Sequence, residues 1–364
     1  MQNRLNKAVI PFLVLAVLAL LFAMWGGLMR LGWRIPALSS SMALAHGPLM
    51  ITGFLGILIT VERAVALKQR WMYAPAVFAA IGWVIILTGW NAVFGAALMS
   101  LASAGGVMIL IEITRREPAL YTGTMLLGSL SWLVGNILWL MGWQIYQVVF
   151  FWQAFLVLTI AGERLELSRV LRPTENSMRL FAVILIAYLL SLVAFPFNLQ
   201  VGSRLNGGAL FALALWSFRN DIAWRNLRHS LPLTRYIAWC LAIGFVWLGI
   251  GGALGMGFGA QVAGPRYDAA LHTIFVGFVI SMIFGHAPII FPAVLGVPVL
   301  FRPAFYFHLI ILHASLAIRV IGDFINIHPM RMWGGLLNEA AILLFLAMTV
   351  SSVIGSVRRS ATSS

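Results

Sequence analysis

Five of the seven histidines in this 364-residue chain fall inside long apolar stretches. They are His46, His272, His286, His308 and His313. An ionisable side chain in hydrocarbon is costly, so it normally faces a protein interior, a partner or a water-filled cavity. A neutral imidazole can ligate a metal, hold a haem iron axially or pass on a proton. Three interpretations therefore stay open for these residues: a metal or haem site, a proton or ion path, and structural hydrogen bonds between helices.

The depths of these histidines predict two separate sites. His46 and His272 each enter a predicted helix near the same surface, roughly 6–8 Å deep. His286 follows His272 on the same predicted helix, and at 100° per residue it returns to the same face about 21 Å deeper. We expect His46 and His272 to form one site, and His286 to serve a second site with His308 or His313.

The chemistry of these side chains suits haem, copper or both. Two neutral imidazoles from facing helices can bind haem iron axially, or copper through nitrogen. Haem propionates are anionic, and cations near the predicted outer surface could bind them. These cations are Arg319, Arg30, Arg34 and Arg266. The lone cysteine, Cys240, excludes both a disulfide framework and a C-x-x-C-H haem attachment motif.

Glu339 favours a different function, because it is the one carboxylate clearly inside a predicted span. In a proton-coupled transporter, Glu339 and His313 would line the route. Pro288 and Pro292 would bend the inner end of the predicted helix 268–295 and leave backbone carbonyls there without their helical hydrogen bonds. This end of the helix would line the same route. A cofactor-free scaffold is the third hypothesis, and the residues do not decide whether the chain is an enzyme.

The elements that position these residues follow from composition. Hydrophobic residues make up 62% of the chain, charged residues 9%, and the mean hydropathy is +0.97. These values lie far outside the range of soluble domains, so we predict an all-α polytopic membrane bundle surrounded by lipid. With about 20 apolar residues for each span, the sequence predicts twelve helices: 8–29, 41–66, 73–91, 93–113, 119–141, 143–162, 178–198, 203–218, 232–257, 268–295, 303–323 and 333–356.

The basic residues predict the orientation of this bundle. If both termini are cytoplasmic, eighteen of the 24 Lys and Arg residues fall on the cytoplasmic side, Arg4, Arg358 and Arg359 among them. Five fall on the opposite side, and Arg319 lies within a helix. Cytoplasmic loops of membrane proteins carry this excess. The net charge of +14 is therefore a topology signal, and we expect no nucleic-acid partner.

Weak internal similarity predicts repeats within a single transmembrane domain, 1–364. Glu-Arg pairs end the second and sixth predicted helices, at 62–63 and 163–164. His46 and His272 open the second and tenth. Since the first two of these helices are four apart and the second two are eight apart, we predict three four-helix units, 1–117, 118–229 and 230–364.

Four short motifs resemble a known family. They are "AHGPLMITGFLG" (45–56), "ALHTIFVGF" (270–278), "GHAP" (285–288) and "LAIRVIG" (316–322). Their types and order are similar to those of the NnrS proteins, twelve-helix bacterial membrane proteins associated with haem, copper and the response to nitric oxide. The resemblance implies that His46, His272 and His286 bind a haem or copper cofactor. It also implies a bacterial inner-membrane location, a role in nitric oxide or electron-transfer chemistry, and a redox partner.

Overall fold

The chain is built of long helices. The computed structural model describes residues 6–362, with side chains as far as residue 357, and this range contains helices and no strands. The helices are α1 (Ile10–Arg30), α2 (Met42–Leu67), α3 (Ala74–Thr88), α4 (Ala92–Arg116), α5 (Leu120–Leu140), α6 (Ile145–Ser168), α7 (Glu175–Ala194), α8 (Leu199–Asn220), α9 (Pro232–Phe258), α10 (Pro265–Leu295), α11 (Phe305–Phe324) and α12 (His328–Thr362). The predicted all-α fold is confirmed. Arg4 and the side chains of Arg358 and Arg359 lie outside the described part of the chain.

Within residues 6–362, eleven of these helices are long and apolar enough to cross a membrane. By length and composition the chain is therefore a multi-pass membrane protein. The remaining long helix is α8, the predicted span 203–218, which is 22 residues long. Arg204 and Asn206 lower its hydropathy, and for that reason α8 is not among the eleven.

The helical hairpin of α3 and α4 divides close to the predicted position, at Trp90-Asn91. Gly89 ends α3 with a φ of 69°, a left-handed conformation that glycine adopts without steric cost. Asn91 then caps α4, and its side chain accepts a hydrogen bond from the backbone N–H of Phe94. The chain therefore turns within three residues, although both helices are apolar.

Two compact units make up the chain. The first comprises residues 1–159, 289–298 and 356–364, and it contains α1 to α5. The second comprises residues 160–288 and 299–355, and it contains α7 to α9, α11 and most of α10 and α12. In the first unit α2 packs against α1 and α3, and in the second α10 packs against α9 and α11. The predicted single domain with three four-helix repeats stays a prediction.

Both α2 and α10 contain a stretch of π-helix, in which each N–H bonds to the carbonyl five residues back. These stretches are Leu49–Gly56 and Thr273–Ile280, eight residues each. A Gly-Phe pair occupies the same place in both, 53–54 and 277–278, which are 224 positions apart. Stretches of π-helix are rare and often mark functional sites.

The π-helical stretch of α10 corrects one premise of the sequence analysis. We expected His272 and His286 to share a face because each α-helical residue rotates the chain by about 100°. The wider turns of Thr273–Ile280 lie between the two histidines, so that rotation does not apply there. The shared face of His272 and His286 therefore stays a prediction.

Glycine allows close packing at both π-helical stretches. A Cβ at Gly277 would lie 2.5 Å from Cγ of Trp247 in α9 and 2.9 Å from Leu316 in α11. A Cβ at Gly53 would lie 3.0 Å from Ala19 in α1 and 3.2 Å from Trp83 in α3. In each unit the π-helical stretch is therefore held between the preceding helix and the following one.

Candidate functional site

The second unit contains the buried charged side chains of the described residues, and α9, α10, α11 and α12 supply the polar and charged residues of interest. They form three groups, which we name by position. The ion-pair cluster comprises Asp268, His272, Arg319, Asp323, Arg331 and Glu339. The His313 group comprises His313, Trp247 and Ser281. The His308 group comprises His308, Tyr236 and the surrounding aromatic rings.

The ion-pair cluster is built on a bond between α10 and α11. Nε and Nη2 of Arg319 each donate to a carboxylate oxygen of Asp268, both at 2.7 Å. Arg319 is only 6% exposed. Bidentate Arg–carboxylate pairs combine charge with two directed hydrogen bonds, which is why a guanidinium can be buried here. Arg319, which we expected to bind a haem propionate, has Asp268 as its anionic partner in this structure.

Asp268 also holds the ring of His272, four residues later on α10. Nδ1 of His272 lies 2.9 Å from the backbone oxygen of Asp268 and 3.2 Å from its carboxylate. Both atoms are acceptors, so Nδ1 carries the hydrogen. In the neutral ring the lone pair is then on Nε2. Asp268 was not predicted as a site residue, although its i, i+4 spacing from His272 was a usable signal.

Two more carboxyl groups complete the cluster. Asp323 of α11 is 4% exposed, and its carboxylate lies 2.5 Å from Nε of Arg331 in α12. Glu339 of α12 is half-buried and interacts electrostatically with Arg319. Glycine lets α11 and α12 approach, because a Cβ at Gly334 would lie 2.7 Å from the backbone nitrogen of Arg319. The cluster thus contains three carboxyl groups and two guanidinium groups.

The His313 group is a chain of hydrogen bonds. The indole N–H of Trp247 donates to Nδ1 of His313 at 3.0 Å. Nε2 of His313 therefore carries the hydrogen and donates to the hydroxyl of Ser281, 3.2 Å away. That hydroxyl donates to the backbone oxygen of Cys240 at 2.7 Å. Both ring nitrogens of His313 are therefore occupied, and a metal could bind only after one of these bonds broke.

The His308 group is more apolar. His308 is fully buried, and its Nε2 lies 2.8 Å from the hydroxyl of Tyr236. The rings of Phe284, Phe305 and Phe345 pack around the imidazole. Among the described residues, Nδ1 of His308 has no hydrogen-bond partner. His308 and His313 thus have different partners, and the prediction that one of them shares a site with His286 stays a prediction.

His46 and His286 resemble His272 in how their rings are held. Nδ1 of His46 lies 2.7 Å from the backbone oxygen of Ala23 in α1. Nδ1 of His286 lies 2.7 Å from the backbone oxygen of Met282. A carbonyl only accepts, so each Nδ1 donates and each neutral ring has its lone pair on Nε2. His46 belongs to the first unit and His272 to the second, so their predicted pairing stays a prediction.

The predicted histidine ligands differ in which ring nitrogen carries the hydrogen. His46, His272 and His286 each direct Nδ1–H to a backbone carbonyl, the arrangement in which metal-binding histidines are commonly held. His313 has the opposite tautomer. Within the described residues, no three His, Cys, Asp or Glu side chains converge as a metal cluster.

Comparison with known proteins identifies a family for the whole bundle. A family model described as a domain of unknown function, DUF8744, matches residues 9–354. That range contains both π-helical stretches and every histidine discussed above. No curated protein matches the chain. The resemblance to NnrS stays a prediction, and the chain belongs to the DUF8744 family.

Proposed function

We propose that this chain is a haem- or copper-binding protein of the bacterial inner membrane. His46, His272 and His286 supply the imidazole ligands. The observation that carries the proposal is the common orientation of these rings, whose Nδ1–H groups donate to the backbone oxygens of Ala23, Asp268 and Met282. This bond sets the tautomer with the lone pair on Nε2, so that Nε2 is the nitrogen through which each ring would bind a metal.

The position of two of these histidines supports the same function. His46 and His272 lie three residues and one residue before the π-helical stretches of α2 and α10. A π-helical stretch breaks the regular α-helical hydrogen bonds, and such breaks persist mostly where a site needs them. The two stretches thus supply comparable backbone settings for two imidazoles.

The residues fit haem or copper through imidazole nitrogen, which both metals accept. When bound, such a group would supply one-electron redox chemistry or nitric oxide binding. The NnrS resemblance favours nitric oxide, and with it a redox partner. Arg30, Arg34 and Arg266 are exposed cations that could bind propionates, whereas Arg319 is already paired with Asp268.

The proposal includes twelve spans with both termini in the cytoplasm, α8 being the least apolar of them. The 18-to-5 distribution of basic residues supports this topology. Reporter fusions at both termini should read cytoplasmic, and a reporter inserted between α11 and α12 should read external. Termini on opposite sides of the membrane would contradict it.

The test of cofactor binding is the absorption spectrum and metal content of protein purified from haem-sufficient cells. We expect a Soret band, copper, or both in the wild type. A triple variant with alanine at 46, 272 and 286 should lose them, and a matched double variant with alanine at 308 and 313 should keep them. A folded wild type with neither haem nor copper would contradict the proposal. The proton-coupled transporter would then be the better hypothesis.

A further inference from the structure

The ion-pair cluster has more carboxyl groups than guanidinium groups. Asp268 pairs with Arg319, and Asp323 pairs with Arg331. Glu339 is the third carboxyl group, and it interacts electrostatically with Arg319, whose two donating nitrogens already bind Asp268. The three carboxyl groups thus outnumber the two guanidinium groups by one charge.

An uncompensated charge inside an apolar helix bundle is strongly unfavourable. Arg319 and Asp323 are 6% and 4% exposed, so water offers the centre of the cluster little compensation. Neither carboxylate oxygen of Asp323 has a hydrogen-bond donor aligned with it among the described residues. The cluster therefore has spare acceptor capacity as well as excess negative charge, and both favour binding one small cation.

The neighbouring elements supply no further balancing charge. On α10 the only other nearby charge is Arg266, which is exposed and stacks over Phe258 at 5.3 Å. On α9, which packs against α10, no titratable side chain occurs between Leu241 and Phe258. On α11 the next ionisable residue is His313, six positions from Arg319, and its ring is bonded to Trp247 and Ser281.

We propose that the ion-pair cluster is a proton-binding site, with Glu339 carrying the exchangeable proton. Of the three carboxyl groups, Glu339 is the one without a guanidinium of its own, and it is half-buried. A proton on Glu339 leaves two carboxylates and two guanidiniums in balance. Release of that proton gives the cluster a net negative charge. The charge on Glu339 then acts electrostatically on Arg319, which also interacts with Asp268 and Asp323.

This inference rests on the charges and contacts of α10, α11 and α12, and it does not depend on haem or copper binding. It extends the prediction from the sequence that Glu339 lines a proton route. Asp268, Asp323 and Arg331 are added as the groups that set the charge balance around it. Proton binding at this position would suit either a redox protein that takes up protons or a proton-coupled transporter.

The experiment is infrared difference spectroscopy of the purified full-length chain as a function of pH. A protonated carboxyl group has a C=O stretch that ionised carboxylates lack, and this band shifts in heavy water. We expect the wild type to show such a band, with an intensity that falls as the pH rises. Glu339→Gln should remove it. Asp221→Asn is the matched control, because Asp221 forms another buried bidentate pair, with Arg164.

Three outcomes would overturn the proposal. The first is an unchanged band in folded Glu339→Gln protein. The second is the absence of any titrating carboxyl band in the wild type, which needs no variant to establish. The third is a wild-type band that sodium ions displace at constant pH, which would assign the site to sodium. An absorption spectrum of the same sample separates these results from the haem proposal, since a missing Soret band leaves the infrared band unaffected.

Discussion

α2 and α10 have the same backbone feature but different chemical surroundings. Each contains eight residues of π-helix with a Gly-Phe pair inside, and each has a histidine just before that stretch. In α10 the histidine lies beside Asp268, which in turn binds Arg319. In α2 the ring of His46 is bonded to the backbone of α1.

The comparison shows that the π-helical backbone and the charged surroundings of the histidine depend on different residues. A glycine inside each π-helical stretch, Gly53 or Gly277, lets the flanking helices approach it closely. In the second unit, the histidine contacts Asp268 and so belongs to a cluster of charged residues from three helices. In the first unit, by contrast, the Arg116–Glu112 pair is exposed at a helix end, and the part-buried Arg63–Glu62 pair is looser, at 3.8 Å. We infer that the second unit carries the charge-dependent chemistry.

The largest expected effect is at the buried ion pair. Arg319→Met should lower the free energy of unfolding by about 3–5 kcal/mol, because it leaves Asp268 charged and buried without its partner. The double variant Arg319→Met with Asp268→Asn should recover much of that loss, since neither charge then remains. Thermal unfolding in detergent measures both. Equal losses in the single and double variants would show that the unpaired charge of Asp268 is not the main cause of the lost stability.

The two π-helical glycines should differ in their tolerance of a side chain. Gly277→Ala places a Cβ 2.5 Å from Trp247, and this overpacking should cost about 1–3 kcal/mol. Gly53→Ala has its nearest contact at 3.0 Å, so it should cost under about 1 kcal/mol. The same unfolding assay ranks them. A larger loss at Gly53 would contradict the tighter packing of α10.

The smallest effect concerns one buried asparagine in each unit. Asn136 donates to the oxygen of Met99 and to Ser103, and it accepts from the indole of Trp152. Asn338 donates to Leu312 and Ser315. Among the described residues its side-chain oxygen has no partner. At about 0.6 kcal/mol for each hydrogen bond in a membrane, Asn136→Ala should cost more than Asn338→Ala.

Much of the fold could be predicted because apolar length and charge distribution determine spans. The predicted split near Asn91 and the two ends of α9 lie within a few residues of their observed positions. The π-helical stretches could not be predicted, since Leu49–Gly56 and Thr273–Ile280 look like ordinary apolar helix. Their wider turns depend on packing against the flanking helices. The hydrophobic pattern within one helix carries no information about such contacts.

The sequence predicted several residues of the candidate site, but it did not predict which residues they contact. The histidines and Arg319 stood out because ionisable groups are rare in apolar segments. Asp268, Asp323 and Tyr236 lie near the ends of predicted helices, where solvated side chains are ordinary. Their partners, Arg319, Arg331 and His308, come from other helices. Such pairings depend on how helices pack, and sequence spacing within one helix cannot supply them.

The measurement that tests the central claim most directly compares the absorption spectra of two single variants, His272→Ala and His313→Ala. The rings differ in tautomer, since Nδ1 of His272 donates to Asp268 whereas Nδ1 of His313 accepts from Trp247. We predict that His272→Ala removes or shifts a Soret component and that His313→Ala leaves every component unchanged. A spectrum altered by His313→Ala and unaffected by His272→Ala would contradict the assignment of ligands.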